Sequence, residues 1–291
     1  MKNLSGWSGK TIGGVVLLVF ALFFAIPIIW LLLAVTKSAH SLIVANPFSL
    51  GSWSELQANW HQLFGFLDGA VAVWVKNSAV YSVGALILTL LVSIPAGYSL
   101  ALTEYRLRKP LLVLTLVVML IPSTALVLPI FLELNSVGLI GTPLSVILPM
   151  SFFPFGVYLT YIYFSTSIPR DLLAAARIDG CSETQVFTRV ALPLAAPVVA
   201  LVAFFSFVQN WNNFFLPFVM LPSSDSYPIQ VGLTTLLAAT PAFNPSSAGS
   251  DSVQLPTLAL ATLVSILPVL LVFLFSQRFL VAGMTAGGTK E

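Results

Sequence analysis

Gln209, Asn210, Trp211, Asn212 and Asn213 stand together in a long stretch that is otherwise almost wholly apolar. Primary amides donate and accept hydrogen bonds, and an indole adds a flat face with one N–H. Such a set suits an uncharged, hydroxyl-rich ligand and makes these five residues candidate pore lining. The same side chains equally suit hydrogen bonding between helices, to a partner subunit. They have no proton or nucleophile to offer, and no other group in the chain makes good that lack. His40 and His61 are two residues far apart. The lone Cys181 rules out a disulfide within the chain and any cysteine-based metal site, and it fits a cytoplasmic position. "GWSGKT" at Gly6–Thr11 ends like a phosphate-binding loop, but Gly6 lies too close to Gly9 for that motif, and a membrane-like apolar run follows. No catalytic residue and no metal ligand are expected, nor is ATP bound by this chain.

A second stretch, Ile168 to Pro197, carries six of the few charges: Arg170, Asp171, Arg177, Asp179, Glu183 and Arg189. Pro169 suits a first helical position, and Asp171 then falls in the first turn against the positive end of the helix dipole. "LLAAARI" propagates a helix that Asp179-Gly180 stops, with Gly180 available for the left-handed position after the end. Ser182 and Gln185 have capping-box spacing and open a second helix with Val186, Phe187 and Val190 on one face. Pro193 and Pro197 mark the entry to the next apolar run. Ala174, Ala175 and Ala176 form a smooth strip that another backbone can approach. A plain connector needs only a handful of residues, so this two-helix element, 167–197, is read as a docking surface.

The elements that position both stretches follow from composition. With 58% hydrophobic and 8% charged residues the chain cannot cover a water-facing surface, since soluble domains are about a quarter charged. It is expected to be an all-α integral membrane protein, because its apolar runs are too long and too unalternating for barrel strands. Charge-free gaps place six transmembrane helices near 12–36, 78–102, 111–131, 144–166, 195–221 and 256–277. The first reads as a retained signal-anchor rather than a cleaved leader. With the N-terminus inside, ten Lys and Arg face the cytoplasm and only Lys37 and Lys76 lie outside. Both termini, 1–11 and 278–291, are therefore expected to be cytoplasmic. The segments 38–75 and 222–256 are expected to be external. The latter is either a solvated linker or a loop shaped to meet something outside, and "IQVGLTTLLAA" within it is apolar enough for a short packed helix or a re-entrant turn. Glu133, at the outer end of the third span, reads as interfacial.

The stretch 168–197 resembles the signature loop of binding-protein-dependent ABC importer permeases, whose pattern is E-A-A-x-x-D-G, an aromatic, then L-P-x-x-x-P. Ala175, Ala176, Asp179, Gly180, Phe187, Leu192, Pro193 and Pro197 match it in order; Ala174 stands where the family has its Glu, and Asp171 lies one turn earlier. "NSAVYSVGALILTLLVSIPAGYSLALTEYRLR" from Asn77, "IPSTALVLPIFLELNSVGLIGT" from Ile121, "WNNFFLPFVML" from Trp211 and the tail from Gln277 are similar to the maltose-type second permease subunit. The resemblance implies a type I ABC importer permease fold with its core over 76–277, in a bacterial inner membrane. It implies as partners a second homologous permease, two cytoplasmic ABC ATPase subunits that hold ATP and Mg, an extracytoplasmic solute-binding protein and a sugar substrate, with membrane lipid around them and no nucleic acid. The tail is implied to reach between the ATPases. Glycerol phosphates are an alternative cargo within that branch. An ion-coupled secondary transporter is the rival class; it needs intramembrane carboxylates or matched broken helices, and the charge-free spans offer no clear ion site. A membrane enzyme has no supporting constellation in the sequence.

Overall fold

A computed structural model of the protein describes residues 4–249 and 252–285. Every regular element among the described residues is helical. Four helical stretches are long and apolar enough to cross a bilayer, at 10–34, 53–102, 144–166 and 255–277, and the number is six if each of two sharply bent pairs counts as one span. The expected tail over 278–291 continues as helix to Thr285, and residues 286–291 lie outside the described residues, as do 1–3 of the expected N-terminal segment.

The described residues fall into two compact units, Met1–Val71 with Leu233–Ile266 and Ala72–Gly232 with Leu267–Glu291. In the first unit the helix Leu4–Ala34 starts earlier than residue 12 and stops short of 36. Its apolar window between residues 10 and 34 buries nothing against the chain. The segment beyond it is folded, not open: Ser38 and Ser41 make a capping box for Ala39–Val44, and Ser52 caps Trp53–Gly65. Lys37 is buried, its Nζ donating to the carbonyls of Asn46 (2.8 Å) and Pro47 (3.0 Å). Asn59 Nδ2 donates to the carbonyls of Val35 and Lys37, while its Oδ1 accepts from the Thr257 hydroxyl. Gln62 donates to the Ser252 carbonyl and also meets Thr257. These buried polar groups are paired, as burial requires.

The second unit is organised by the helix Ala70–Leu102, which begins eight residues before the expected start at 78. Lys76 had set that limit, yet a charge does not end a helix. The break is instead made by Leu67, Asp68 and Gly69, three successive residues with positive φ (45°, 55° and 90°). At 33 residues the helix is about 50 Å long, well beyond the ~30 Å of hydrocarbon. Its early turns grip the segment from Ser224 to Ile229. Trp74 Nε1 donates to the Ser224 carbonyl at 2.8 Å, Asn77 to Asp225 and Tyr227, and Tyr81 to Ser226; Ser78 accepts from the Ile229 N–H. At the far end Arg108 donates to the carbonyls of Leu100 and Ala101, satisfying the helix C-terminus.

Three expected spans are broken. The 111–131 span is two helices, Arg108–Val118 and a stretch over Ser123–Ser136, bent by 100°. Pro122, with no N–H, stands at the break. Ser151–Phe153 interrupt 144–166 ahead of Pro154. The 195–221 span is Ala196–Trp211 and Phe215–Met220, with Asn212–Phe214 between them. The short helix expected inside 222–256 is present as Ile229–Ala238.

Gly97 marks the tightest approach of Ala70–Leu102 to Pro154–Thr166. A Cβ there would lie 2.5 Å from Thr160 Cβ and 2.8 Å from the Tyr161 backbone nitrogen. Gly97→Ala should therefore destabilise the protein by about 1–3 kcal/mol, read as a lowered thermal midpoint in detergent. Gly13→Ala, where a Cβ meets nothing within 4 Å, should not.

Candidate functional site

The 168–197 element is two helices, Arg170–Ile178 and Glu183–Leu194. Pro169 is the cap with extended ψ, so the helix starts one residue later than expected. Gly180 has φ 85°, Gly180 N–H donates to Arg177 O, and Cys181 N–H donates to Ala176 O. This is the double hydrogen bond of a Schellman stop. Ser182 and Gln185 cap the next helix reciprocally. Over Val186–Ala191 that helix widens to a π winding. Pro193 has no N–H to close an ordinary turn and its ring crowds the carbonyl four residues back, which favours the wider coil.

The two faces of this element differ sharply. Leu173, Ala176, Val186 and Ala191 are buried with Tyr98, Phe164 and Ile168 in one apolar cluster. Phe187 packs on Tyr98 at 4.9 Å, and Tyr98 meets Phe164 edge-on at 5.4 Å. Outward lie Asp171, Leu172, Ala174, Ala175, Ile178, Asp179, Gly180 and Pro193, with Ile178 86% exposed. An 86% exposed isoleucine at the edge of an alanine strip is an unpartnered apolar surface. Ala176 and Phe187 therefore root the element, while the other expected residues present themselves. Arg177 bridges the turn to Glu183 in a bidentate pair at 2.7 and 3.1 Å. That bond holds the Glu183 carboxyl below the usual carboxylate range and raises Arg177.

The five candidate lining residues separate. Gln209, Asn210 and Asn213 line one cavity of about 320 Å³ with Ser123, Thr124, Phe152, Phe215 and Glu133. Trp211 is buried and stacks on Phe207 at 5.7 Å. Asn212 is exposed and its amide returns to the Val208 carbonyl. Asn210 is buried and begins a hydrogen-bonded chain: it donates to Ser206 Oγ (3.3 Å), Ser206 to Thr89 Oγ1 (3.3 Å), and Thr89 to the Ser151 carbonyl (3.0 Å). These bonds tie three segments together within the chain, between helices as the second of the two readings has it, though to this chain's own segments. Glu133 and the Thr89–Ser206 link lay beyond sequence reasoning. Glu133 read as interfacial from its place at the end of the third span; that span is bent by 100°, and Glu133 lies exposed on the wall of this cavity.

The helix pair is closed by its own stop and cap and rooted on Ala70–Leu102, and the polar cavity lies where helices break. Residues 93–286 match the family "Binding-protein-dependent transport system inner membrane component", and the chain belongs to that family. It is 31% identical over 274 residues to the arabinooligosaccharides transport system permease protein AraQ of Bacillus subtilis (strain 168), covering 94% of this chain and 93% of that protein. It is 30% identical over 261 residues to the lactose transport system permease protein LacG of Rhizobium radiobacter, covering 89% and 88%. The fold is that of a crystallised bacterial ABC transporter involved in import of the acidic polysaccharide alginate: TM-score 0.81 at 24% identity, covering 96% of this chain and 99% of that one.

Two measurements probe the rooting of the helix pair. The Tyr98 hydroxyl is buried without a hydrogen-bond partner, so Tyr98→Phe should be neutral or stabilising by up to about 1 kcal/mol. Tyr98→Ala, losing both ring contacts, should cost about 3–5 kcal/mol in thermal unfolding. Because Glu183 is lowered by Arg177, its contribution is fully present above the ordinary carboxylate range and is lost as pH falls through the lowered value. Both side chains are well exposed, so Glu183→Gln should cost less than about 1 kcal/mol. It should also flatten the acid limb of a stability–pH profile without changing stability at a pH well below the lowered value.

Proposed function

We propose that this chain is one half of the membrane passage of an ATP-driven carbohydrate importer in a bacterial inner membrane. The permeases AraQ and LacG, whose names specify arabinooligosaccharides and lactose, support a mono- or oligosaccharide cargo. In this reading six spans cross the membrane, the fifth entering at Ala196 with Glu183–Leu194 left to the cytoplasmic helix pair, and both termini lie in the cytoplasm with the basic residues. A second permease completes the passage, and an external binding protein delivers the sugar. Two ATPase subunits hold ATP and Mg, and this chain holds no cofactor.

One observation carries the proposal. The Arg170–Ile178 helix, ended by Gly180, is anchored on one face and bears an exposed Leu172, Ala174, Ala175, Ile178 strip on the other. A helix fixed at its back and bare in front transmits force from a partner to the spans it rests on. Asp171, Ala174, Ala175, Asp179, Gly180 and Pro193 form the face for the ATPase, while Ala176 and Phe187 carry its movement to Tyr98. With Ala174 in place of the family's Glu, the apolar strip supplies most of the contact and Asp171 its acidic edge. Rigid-body rocking of the spans then opens the passage to each side in turn. Gln209, Asn210 and Asn213 face the sugar's hydroxyls.

Cys181, the only cysteine, lies half-buried beside that strip. In the intact transporter, maleimide labelling of Cys181 should slow when the ATPase subunits are bound and change again with nucleotide. Labelling indifferent to both would place the ATPase elsewhere. Sugar uptake by the isolated chain under an ion gradient would overturn the proposal altogether.

A further inference from the structure

We propose that Glu133 makes the amide cavity charge-selective, so that this half of the passage admits neutral and amino-bearing sugars and disfavours anionic ones. The inference rests on the reading of Gln209, Asn210 and Asn213 as lining. Glu133 lines the same cavity of about 320 Å³, a volume at the small end of ligand sites and suited to a sugar unit. Phe152 and Phe215 give it aromatic faces for the C–H side of a pyranose, and the amides donate and accept as hydroxyls require. An ionised carboxylate adds acceptors only, which hydroxyl and ammonium groups satisfy and a second carboxylate cannot.

The field of Glu133 is uncompensated within these elements. It is the one charged residue between Lys109 and Arg170, and the stretch from Val190 to Ser224 has none. All the cavity's walls come from those two stretches. Glu133 is exposed at the cavity wall and makes no ion pair among the described residues. The remaining walls, Leu126, Ile130, Met150 and Leu216 among them, are apolar and concentrate rather than screen its field.

The test uses the assembled transporter in membrane vesicles, with this chain carrying Cys181→Ser and Asn213→Cys. Rates of modification by a trimethylammonium-ethyl and a sulfonatoethyl methanethiosulfonate are read on this chain by mass spectrometry. The cationic reagent should react faster than the anionic one. Glu133→Gln should cut that rate ratio roughly tenfold, whereas Glu133→Asp, which keeps the charge, should preserve it. An unchanged ratio in Glu133→Gln overturns the charge filter and leaves the lining intact. Protection of Asn213→Cys from both reagents, in a transporter that still turns over, overturns the lining itself.

Discussion

A backbone surrounded by hydrocarbon has no water to bond, so each peptide group must be satisfied from within the chain. Helices do this without help, which is why long apolar runs become long helices here. Breaks in those helices are tolerable only where side chains or a cavity take over. At Asn212–Phe214 the Asn213 side-chain Oδ1 accepts from the Leu216 N–H, and the Asn212 side-chain amide donates to the Val208 carbonyl. At Ser151 the freed carbonyl accepts from Thr89. The polar residues that first suggested a binding surface are therefore also what allows the chain to be broken there. Structure and site have one cause.

The same economy governs the helix pair. Its inner face is secured by an apolar cluster and by the tilted ring contact of Tyr98 and Phe187, while its ends are closed by Gly180 and Ser182 rather than by partners. Securing the ends locally frees the outer face to remain bare. A side chain as apolar as Ile178 survives 86% exposed because the rest of the helix holds without it. The Arg177–Glu183 pair spans the turn between the two helices.

Much of this was legible from residue types. The left-handed Gly180, the Ser182–Gln185 box and the helix in "IQVGLTTLLAA" follow from local rules, since a few neighbouring residues contain all the atoms involved. The span boundaries were less legible. Lys76 looked like an end because charges usually sit outside the membrane, yet the helix runs through it from Ala70. Pro122 and Pro154 stand at two of the breaks, inside stretches read as unbroken spans, and the size of a bend depends on what packs on either side of it. Ala176 and Phe187 belong to a matched motif, and only packing shows that they face inward.

By itself the sequence determined the all-helical class, the capped pair with its Ala174 departure, and the amide cluster, because composition and short-range hydrogen bonding settle such features. Tertiary structure decided that Gln209, Asn210 and Asn213 share a cavity with Glu133 while Trp211 does not. Those residues come from segments some eighty positions apart in the chain. Which of them meet depends on the direction a helix takes after each break, and no local pattern specifies that direction.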